Sequence, residues 1–478
     1  MRDNDRVTHV VIIGGGPGGY ESAHVAAQLG AEVTVVDSDG IGGSAVLTDC
    51  VPSKTLIATS ELMTELTTAH ELGIGLADEE GDAAAQVHVD LAQVNARVLR
   101  LAAEQSRDIG RRLERDGVQV VVGRGRIDPT AGVGRTTHHR VLVDRPDGGT
   151  ESIDADAILV ATGAAPRTLP SAQPDGERIL TWEQVYDLTE MPSRMIVVGS
   201  GVTGAEFASA YMALGIDVVL VSSRDRVLPG EDPDAAEVLQ QVLTRRGMTV
   251  LSKSRMESVT RDGDEVTVTL DDGRTVTGSH CLLALGSIPN TTGLGLEEAG
   301  VILDDGGFIK VDRVSRTSAR SVYAAGDCTG VLMLASVAAM QGRIAMWHFL
   351  GDAVAPLDLK KVSSNVFTAP EIATVGWSQQ AVDRGEIEAE VVRLELSGNA
   401  RAKMQGVHDG FVKLFCRPGT GIIVGGVVVG PRASELIHPV SIAVAESLTA
   451  DQLAQAFTVY PSNSGSIAEA ARRLHHPR

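Results

Sequence analysis

The sequence predicts an α/β protein in which one strand–turn–helix–strand unit occurs twice and an α+β domain follows. Its 478 residues suit about three domains, each able to bury its own core. Two glycine-rich turns, at 14–19 and 199–204, each lie between an apolar strand pattern and a helical pattern. Hydrophobic residues make up 43% of the chain and aromatic residues 3%, a composition typical of a globular α/β protein.

The first unit opens with an apolar run at 7–13, which predicts a strand buried in a parallel sheet. A helix ending near Gly30 follows, and a second strand at 32–36 leads to Asp37. Glycines permit a tight turn and close approach of a pyrophosphate, and the helix N-terminus offers N–H donors. The acid accepts from ribose hydroxyls, so the unit predicts a bound dinucleotide. The predicted contacts are Gly14, Gly16, Pro17, Gly18, Gly19 and Asp37.

The second unit repeats this pattern. A strand at 195–198 runs into the turn, a helix ends near Gly215, and a strand follows at 218–221. The predicted contacts in its turn are Gly199, Gly201 and Val202. Two complete units in one chain predict two separate dinucleotides.

Charge and composition exclude several classes of protein. The formal charge of −20 argues against a nucleic-acid partner, because phosphate binding needs clustered Lys and Arg. No apolar run approaches the roughly 20 residues of a membrane span, and the polar N-terminus resembles no signal peptide, so we expect a cytoplasmic protein. The cysteines show no metal-ligand spacing, and no metal site is predicted. They are Cys50, Cys281, Cys328 and Cys416.

Several segments in the right order resemble the flavoprotein disulfide reductases, the class I pyridine nucleotide-disulfide oxidoreductases. Residues 42–54 resemble their redox-disulfide helix, 158–163 and 285–290 their domain crossings, 322–327 their second flavin motif, and 367–376 the start of their dimerisation domain. The resemblance implies two Rossmann-type dinucleotide-binding domains of the glutathione-reductase kind plus a C-terminal α+β dimerisation domain. It places the FAD-binding domain at 1–165 and 287–352, the NAD(P)-binding domain at 166–286 and the dimerisation domain of a homodimer at 353–478.

The same resemblance implies FAD as cofactor, with NADPH or NADH as co-substrate. In the family the aspartate of the second flavin motif holds the ribityl chain, and here that position is Asp327. Further nucleotide contacts implied by the resemblance are Gly43, Ser44, Lys54, Gly125, Thr162, Gly163, Gly326, Ala335, Glu206, Ser222, Arg224 and Gly286.

One residue of the redox-disulfide motif is missing. The family carries G-G-T-C-x-x-x-x-C-x-P-S-K, but Ala45 stands at the first cysteine position and only Cys50 remains. A dithiol relay needs two sulfurs, because exchange passes through a mixed disulfide that a second thiol resolves. Tyr460 stands where relatives carry the acid/base histidine, and Glu469 lies too far along the chain to be its partner. Two changes in one relay predict that dithiol chemistry has been lost.

Four residues remain as catalytic candidates. The resemblance places Lys54 beneath the flavin N5 region, paired with Glu206, where a cation stabilises the charge that develops as hydride arrives. Cys50 either tunes the flavin or only fills space. Tyr460 either donates a hydrogen bond to a substrate oxygen or is an interface residue without a chemical role, since a tyrosine is a poor base at neutral pH.

The end of the second unit bears on coenzyme choice. NAD-specific relatives place an acid after the closing strand, whereas here Val221 is followed by Ser222, with Arg224 and Arg226 close by. A serine with arginines suits a 2′-phosphate, so we expect NADPH to be accepted and NADH to be used as well. Arg226 is equally explained as a surface residue.

These observations predict an FAD-dependent NAD(P)H dehydrogenase that passes electrons to a small acceptor, which the family resemblance implies is a quinone. The chain is similar to the lipoamide-dehydrogenase-like NAD(P)H:quinone reductases, which lack the disulfide. A soluble NAD(P) transhydrogenase and a non-catalytic flavin-binding interaction protein are the alternatives. Ala45 disfavours dihydrolipoamide dehydrogenase activity.

Overall fold

A computed structural model describes residues 7–75, 87–130 and 138–475. The polar N-terminus, residues 1–6, on which the expected cytoplasmic location partly rests, lies outside the described residues. The chain divides into two compact units, each made of three separate segments of the sequence. Only the described residues of those segments are considered below. The first unit contains Met1–Thr55, Ala96–Arg167 and Gly286–Asp358, and the second contains Leu56–Asn95, Thr168–Leu285 and Leu359–Arg478.

The bounds of the elements are as follows. The helices are α1 Pro17–Gln28, α2 Gly43–Leu47, α3 Cys50–Thr68, α4 Leu91–Arg115, α5 Val202–Ala213, α6 Pro233–Arg245, α7 Ala335–Leu350, α8 Gln379–Asp383, α9 Ala400–Met404, α10 Ala433–Leu436, α11 His438–Ala445, α12 Ala450–Gln455 and α13 Gly465–Arg473. The strands are β1 His9–Ile13, β2 Glu32–Asp37, β3 Gln119–Val122, β4 Arg124–Ile127, β5 His139–Asp144, β6 Thr150–Ala155, β7 Ala157–Val160, β8 Ala164–Pro166, β9 Ile179–Leu180, β10 Arg194–Val198, β11 Asp217–Val221, β12 Thr249–Leu251, β13 Met256–Asp262, β14 Glu265–Leu270, β15 Thr275–Gly278, β16 His280–Leu283, β17 Ser287–Pro289, β18 Val322–Ala324, β19 Ser363–Val366, β20 Glu371–Gly376, β21 Glu390–Glu395, β22 Phe411–Cys416 and β23 Ile423–Gly430.

The first unit is built on a parallel sheet with strand order β18-β7-β1-β2-β3. Its central strand β1 pairs with β2 and β7, so that Ile13 lies beside Val36 and Val160. Both faces of β1 are buried, which explains its unbroken apolar sequence. Helices α1 and α7 contribute to the core on one face, and the antiparallel sheet β4-β5-β6 contributes to the core on the other.

The second unit contains a parallel sheet with strand order β12-β11-β10-β16-β9 and an antiparallel sheet with order β19-β20-β23-β22-β21. The parallel sheet carries α5 between β10 and β11, the connection that a Rossmann unit requires. Residues of α11 and α13 pack with the antiparallel sheet in one hydrophobic core.

The predicted fold class, two Rossmann-type units and a C-terminal α+β domain, is confirmed. The first strand begins two residues later than the apolar run, at His9, and the first helix ends at Gln28. The domain boundaries given above stay a prediction. Among the described residues, no helix combines the length and apolar character that crossing a bilayer requires.

Candidate active site

In the first glycine turn, two positions have no room for a Cβ atom because backbone atoms lie too close. A Cβ at Gly14, whose φ is +105°, would collide with the carbonyl oxygen of Ala161 at the end of β7, and a Cβ at Gly19 would collide with the carbonyl oxygen of Gly14. Pro17 is the first residue of α1, where its missing N–H costs nothing. Strand β1, helix α1 and strand β7 therefore meet at the close range that a dinucleotide turn requires.

A second segment approaches this turn. A Cβ at Gly43, the first residue of α2, would lie 2.8 Å from the Cα of Gly16. Ser44 follows and is exposed. A Cβ at Gly18 would lie 3.1 Å from the Cβ of Ala325. The predicted contacts at 16, 18, 43 and 44 thus lie in one region of the first unit.

The carboxylate of Asp37 organises the end of β2. One oxygen accepts the N–H of Gly15 at 2.6 Å, and the other accepts the N–H groups of Asp39 and Gly40 at 2.9 and 2.6 Å. A carboxylate offers about four acceptor positions, so capacity for a ribose hydroxyl remains. The residue fixes the glycine turn whether or not it also binds ribose, a role that the sequence motif did not indicate.

Three more predicted contacts lie in the first unit. A Cβ at Gly125 would lie 3.1 Å from side-chain atoms of Ile13 and of Val36. The glycine therefore allows the backbone at this position to pack closely against those two side chains. The hydroxyl of Thr162 donates to the carbonyl oxygen of Asn290 at 2.7 Å, and the Asn290 amide donates back to the Thr162 carbonyl oxygen at 3.0 Å. Gly163 follows in a left-handed conformation with φ of +68°.

The second flavin motif follows β18. Gly326 has φ of +83° and directs the chain into a short 3₁₀ turn at Asp327–Thr329. Burial raises the pKa of Asp327 to about 6, and the nearby carboxylate of Asp49 adds to this shift. Ala335 is the first residue of α7 and brings the positive end of the helix dipole to this unit.

The broken disulfide motif spans two helices. Ala45 lies in α2 and Cys50 is the first residue of α3. None of the four cysteines, all of which lie among the described residues, forms a disulfide. Burial raises the pKa of Cys281, and it raises the pKa of Cys328 and of Cys416 to about 11. Cys50 differs from these three because it is only half-buried.

Lys54 and Glu206 belong to different units. Lys54 is half-buried in α3, and its Nζ donates to the hydroxyl of Ser53 at 3.3 Å. Glu206 is 3% exposed in α5, and its Oε1 accepts the N–H of Phe367 at 2.8 Å. Their mutual pairing stays a prediction.

The second glycine turn repeats the geometry of the first. A Cβ at Gly199 would collide with the carbonyl oxygen of Ala284, and a Cβ at Gly204 would collide with the carbonyl oxygen of Gly199. Space is open around Gly201, where a Cβ would have no atom of the described residues within 4 Å apart from those of its chain neighbours. Val202 is the first residue of α5 and is exposed. Gly286, with φ of +88°, lies beyond β16 in the first unit.

Ser222 is buried, and its hydroxyl already has partners in the protein. Its Oγ lies 2.7 Å from the Oγ of Ser200 and accepts the N–H of Arg224 at 3.1 Å. The side chains that emerge after β11 are those of Ser223 and Arg224, which are exposed. Sequence alone could not indicate that Ser222 points inward.

Tyr460 is 86% exposed in this chain, next to the exposed side chains of Phe457 and Val459. Glu469 lies in α13 and forms ion pairs with Arg472 and Arg473 of the same helix. The hydrogen bond from Arg472 lowers the pKa of the Glu469 carboxyl.

Two residues near the predicted FAD contacts escaped the sequence reasoning. Gln341 is buried in α7 and accepts the N–H of Gly326 at 2.9 Å. Asp49 follows α2 and lies near Asp327. Gln341 belongs to none of the motifs described above, and Asp49 occupies a variable position of the segment 42–54, so no sequence pattern indicated either residue.

Two dinucleotide turns of one geometry, joined to a modified disulfide motif, define an oxidoreductase that uses pyridine nucleotides. Residues 8–342 match the family described as pyridine nucleotide-disulphide oxidoreductase, and residues 362–471 match the dimerisation domain of that family. The chain belongs to the pyridine nucleotide-disulphide oxidoreductase family, as the sequence predicted.

Relatives refine this placement. The chain is 56% identical over 98% of its length to the NAD(P)H dehydrogenase (quinone) of Mycobacterium tuberculosis, of which it covers 94%. It is similar to the crystal structure of LpdA from the same organism, with a TM-score of 0.93, 55% identity and coverage of 98% and 100% of the two chains. The dihydrolipoyl dehydrogenase of Chlorobaculum tepidum is 32% identical over 97% of this chain and 96% of its own.

Proposed function

We propose that this chain is an FAD-dependent NAD(P)H:quinone oxidoreductase in which electrons pass from the flavin to the quinone without a dithiol relay. The reaction converts NAD(P)H, a proton and a quinone into NAD(P)⁺ and a hydroquinone. The mycobacterial relative, which is 56% identical, carries the corresponding activity in its name. The function predicted from the sequence agrees with that relative.

The observation that carries this proposal is Ala45, which stands where the family motif has the first of its two cysteines. A mixed disulfide formed at Cys50 would need a second thiolate to resolve it. Ala45 cannot supply one, and the other three cysteines are buried with raised pKa values. Buried thiols of high pKa are inert in exchange. Reducing equivalents must therefore leave without passing through sulfur.

The first unit fits FAD. The collisions that a Cβ would cause at Gly14 and Gly19 leave room for a pyrophosphate against the backbone at the start of α1. Asp37 would bind the ribose, Asp327 the ribityl chain, and the N-terminus of α7 would face the flavin. FAD supplies hydride acceptance from a nicotinamide and electron donation to a quinone.

The side chains of the protein position charge and exclude water around that chemistry. The Lys54 ammonium stabilises negative charge that develops near it during reduction. The small side chain of Ala45 leaves apolar space, which suits a flat aromatic acceptor. Tyr460 is a candidate hydrogen-bond donor to a quinone oxygen, because a phenol O–H can donate to a carbonyl oxygen.

For the nicotinamide nucleotide we propose that NADPH and NADH are both used. Because the hydroxyl of Ser222 is occupied by Ser200 and Arg224, the exposed groups of Ser223 and Arg224 are better placed to meet a 2′-phosphate. Arginine is well suited to bind a phosphate through two parallel hydrogen bonds.

A homodimer and a cytoplasmic location complete the proposal. The match of residues 362–471 to a dimerisation domain supports self-association, and the exposed run Phe457–Tyr460 is a surface that a second copy would cover. The absence of disulfides among the four cysteines of the described chain agrees with a reducing compartment.

The decisive experiment is anaerobic reduction of the purified yellow protein. NADPH or NADH should bleach the flavin absorbance, one reducing pair per flavin, and the colour should return only when a quinone such as menadione is added. Failure of either nucleotide to bleach the flavin would favour an interaction protein. Reoxidation best by thio-NAD would favour a transhydrogenase, and efficient turnover of dihydrolipoamide would contradict the loss of the relay.

A further inference from the structure

Helix α7 carries two adjacent residues that contact different parts of the predicted FAD site. Gln341 faces the turn that begins at Gly326, and a Cβ at Gly342 would collide with the carbonyl oxygen of Gly18 near the start of α1. A Cβ at Gly18 would in turn lie 3.1 Å from the Cβ of Ala325. One point on α7 therefore touches both the first glycine turn and the loop of the second flavin motif.

The amide of Gln341 is used at both ends. Its Oε1 accepts the N–H of Gly326 at 2.9 Å, and its Nε2 donates to the hydroxyl of Thr329 at 3.4 Å. That hydroxyl donates to the carbonyl oxygen of Gly326 at 2.7 Å. The three groups form a closed ring of hydrogen bonds around the turn that presents Asp327.

Because the ring is buried, each of its polar groups needs a partner within the protein. Gln341 is 1% exposed, and Thr329 is also buried, so neither can replace a lost partner by water. A buried donor or acceptor without a partner costs about 1–3 kcal/mol. An amide meets both requirements because it accepts and donates, whereas an ionised carboxylate only accepts. A glutamate here would also add negative charge close to Asp327, the residue next to Gly326.

We propose that Gln341 is a positioning residue for FAD: it fixes the turn Gly326–Thr329 so that Asp327 is presented to the ribityl chain, while Gly342 holds the same helix against α1. This inference rests on the proposed function, because it requires FAD in the first unit. Gln341 acts through the turn and has no contact with substrate. Loosening the ring weakens FAD binding, and a negative charge introduced at position 341 also changes the electrostatic environment of the flavin.

The test variants are Gln341→Glu and Thr329→Val. The control is Gln28→Glu, which repeats the glutamine-to-glutamate substitution at an exposed position at the end of α1. The dissociation constant of FAD, the flavin midpoint potential and the visible spectrum are measured at pH 8. We expect Gln341→Glu to raise the dissociation constant at least tenfold and to make the potential more negative. Thr329→Val should raise the dissociation constant less, without the change in potential, and Gln28→Glu should match the wild type.

Thermal unfolding of the FAD-free proteins separates positioning from stability. A fall in melting temperature with unchanged FAD affinity, potential and spectrum in both ring variants would overturn the proposal. If Gln341→Glu does not fold, a Thr329→Val protein that binds FAD as the wild type does overturns it as well. Wild-type protein without bound flavin would instead refute the proposed function, so the two failures are distinguishable.

Discussion

The carboxylate of Glu206 accepts a hydrogen bond from the backbone N–H of Phe367, with 2.8 Å between Oε1 and the nitrogen. Glu206 lies in α5 of the second Rossmann unit, and Phe367 follows β19 of the antiparallel sheet. Ser209, one turn further along α5, accepts the N–H of Ala369 at 3.2 Å. The catalytic candidate Glu206 therefore also holds a helix to the segment between β19 and β20.

This double role separates two substitutions at position 206. Glu206→Gln keeps an oxygen for the Phe367 N–H but loses the charge, so we expect near-normal stability and slower flavin reduction by NADPH. Glu206→Ala removes the acceptor of the part-buried N–H of Phe367, and the free energy of unfolding should fall by about 1–3 kcal/mol. Urea unfolding and stopped-flow absorbance measure the two effects. Equal destabilisation by both variants would contradict the assignment of the hydrogen bond.

Lys54→Ala should slow flavin reduction by roughly two to three orders of magnitude, the usual loss when one preorganised electrostatic group is removed. FAD should stay bound, and Lys54→Arg should recover part of the rate because the positive charge remains. The observable is anaerobic bleaching of the flavin after rapid mixing with NADPH. An unchanged rate in Lys54→Ala would remove the lysine from the mechanism.

Ala45→Cys should restore a disulfide with Cys50, since the surrounding motif is intact. Reductive titration should then consume a second reducing pair, whereas the matched Ala45→Ser variant should consume only one. We expect no efficient dihydrolipoamide turnover, because Tyr460 still stands in place of a histidine base. Restoration of that turnover by the single change would show that our interpretation of Tyr460 is wrong.

The raised pKa of Asp327 predicts a pH dependence of the FAD-free protein. Burial and Asp49 raise this pKa from 3.8 to about 6, so the folded protein binds this proton more tightly than the unfolded chain. The contribution to stability is therefore complete below about pH 4 and is lost as the pH rises through about 6, by up to about 3 kcal/mol. Asp327→Asn should lack this loss. Urea unfolding at pH 4.5, 6 and 7.5 tests the difference, and equal slopes in both proteins would contradict it.

Arg224→Ala should raise the KM for NADPH about tenfold or more and leave the KM for NADH nearly unchanged, because one charge-assisted hydrogen bond to a 2′-phosphate is lost. Arg255→Ala, an exposed arginine of the same unit, is the control. Steady-state kinetics with both nucleotides and menadione measure the ratio. A parallel change for NADH would mean that Arg224 does not recognise the 2′-phosphate.

Sequence reasoning succeeded where steric constraints act over short distances along the chain. The turns at Gly14 and Gly199 were predictable because an apolar strand, close-packed glycines and a helix must follow one another in that order. The collisions that a Cβ would meet at both glycines supply the physical reason.

The same reasoning failed where a role depends on long-range contacts. The inward direction of Ser222 follows from its contact with Ser200, 22 residues earlier, and no local pattern specifies it. Gln341 lies 15 residues from Gly326, inside a helix composed mostly of apolar and small residues. Such partners emerge only when the sheet and helices are assembled.

The alanine at position 45, in place of a second cysteine near Cys50, has a practical consequence for inhibition and labelling. Trivalent arsenicals require two neighbouring thiols for tight chelation, so this protein should tolerate concentrations that inactivate dithiol reductases. A maleimide probe should modify one position per chain, because the other three sulfurs are buried and held in the protonated state. That single attachment point, at the start of α3, offers a native reporter of events around the flavin.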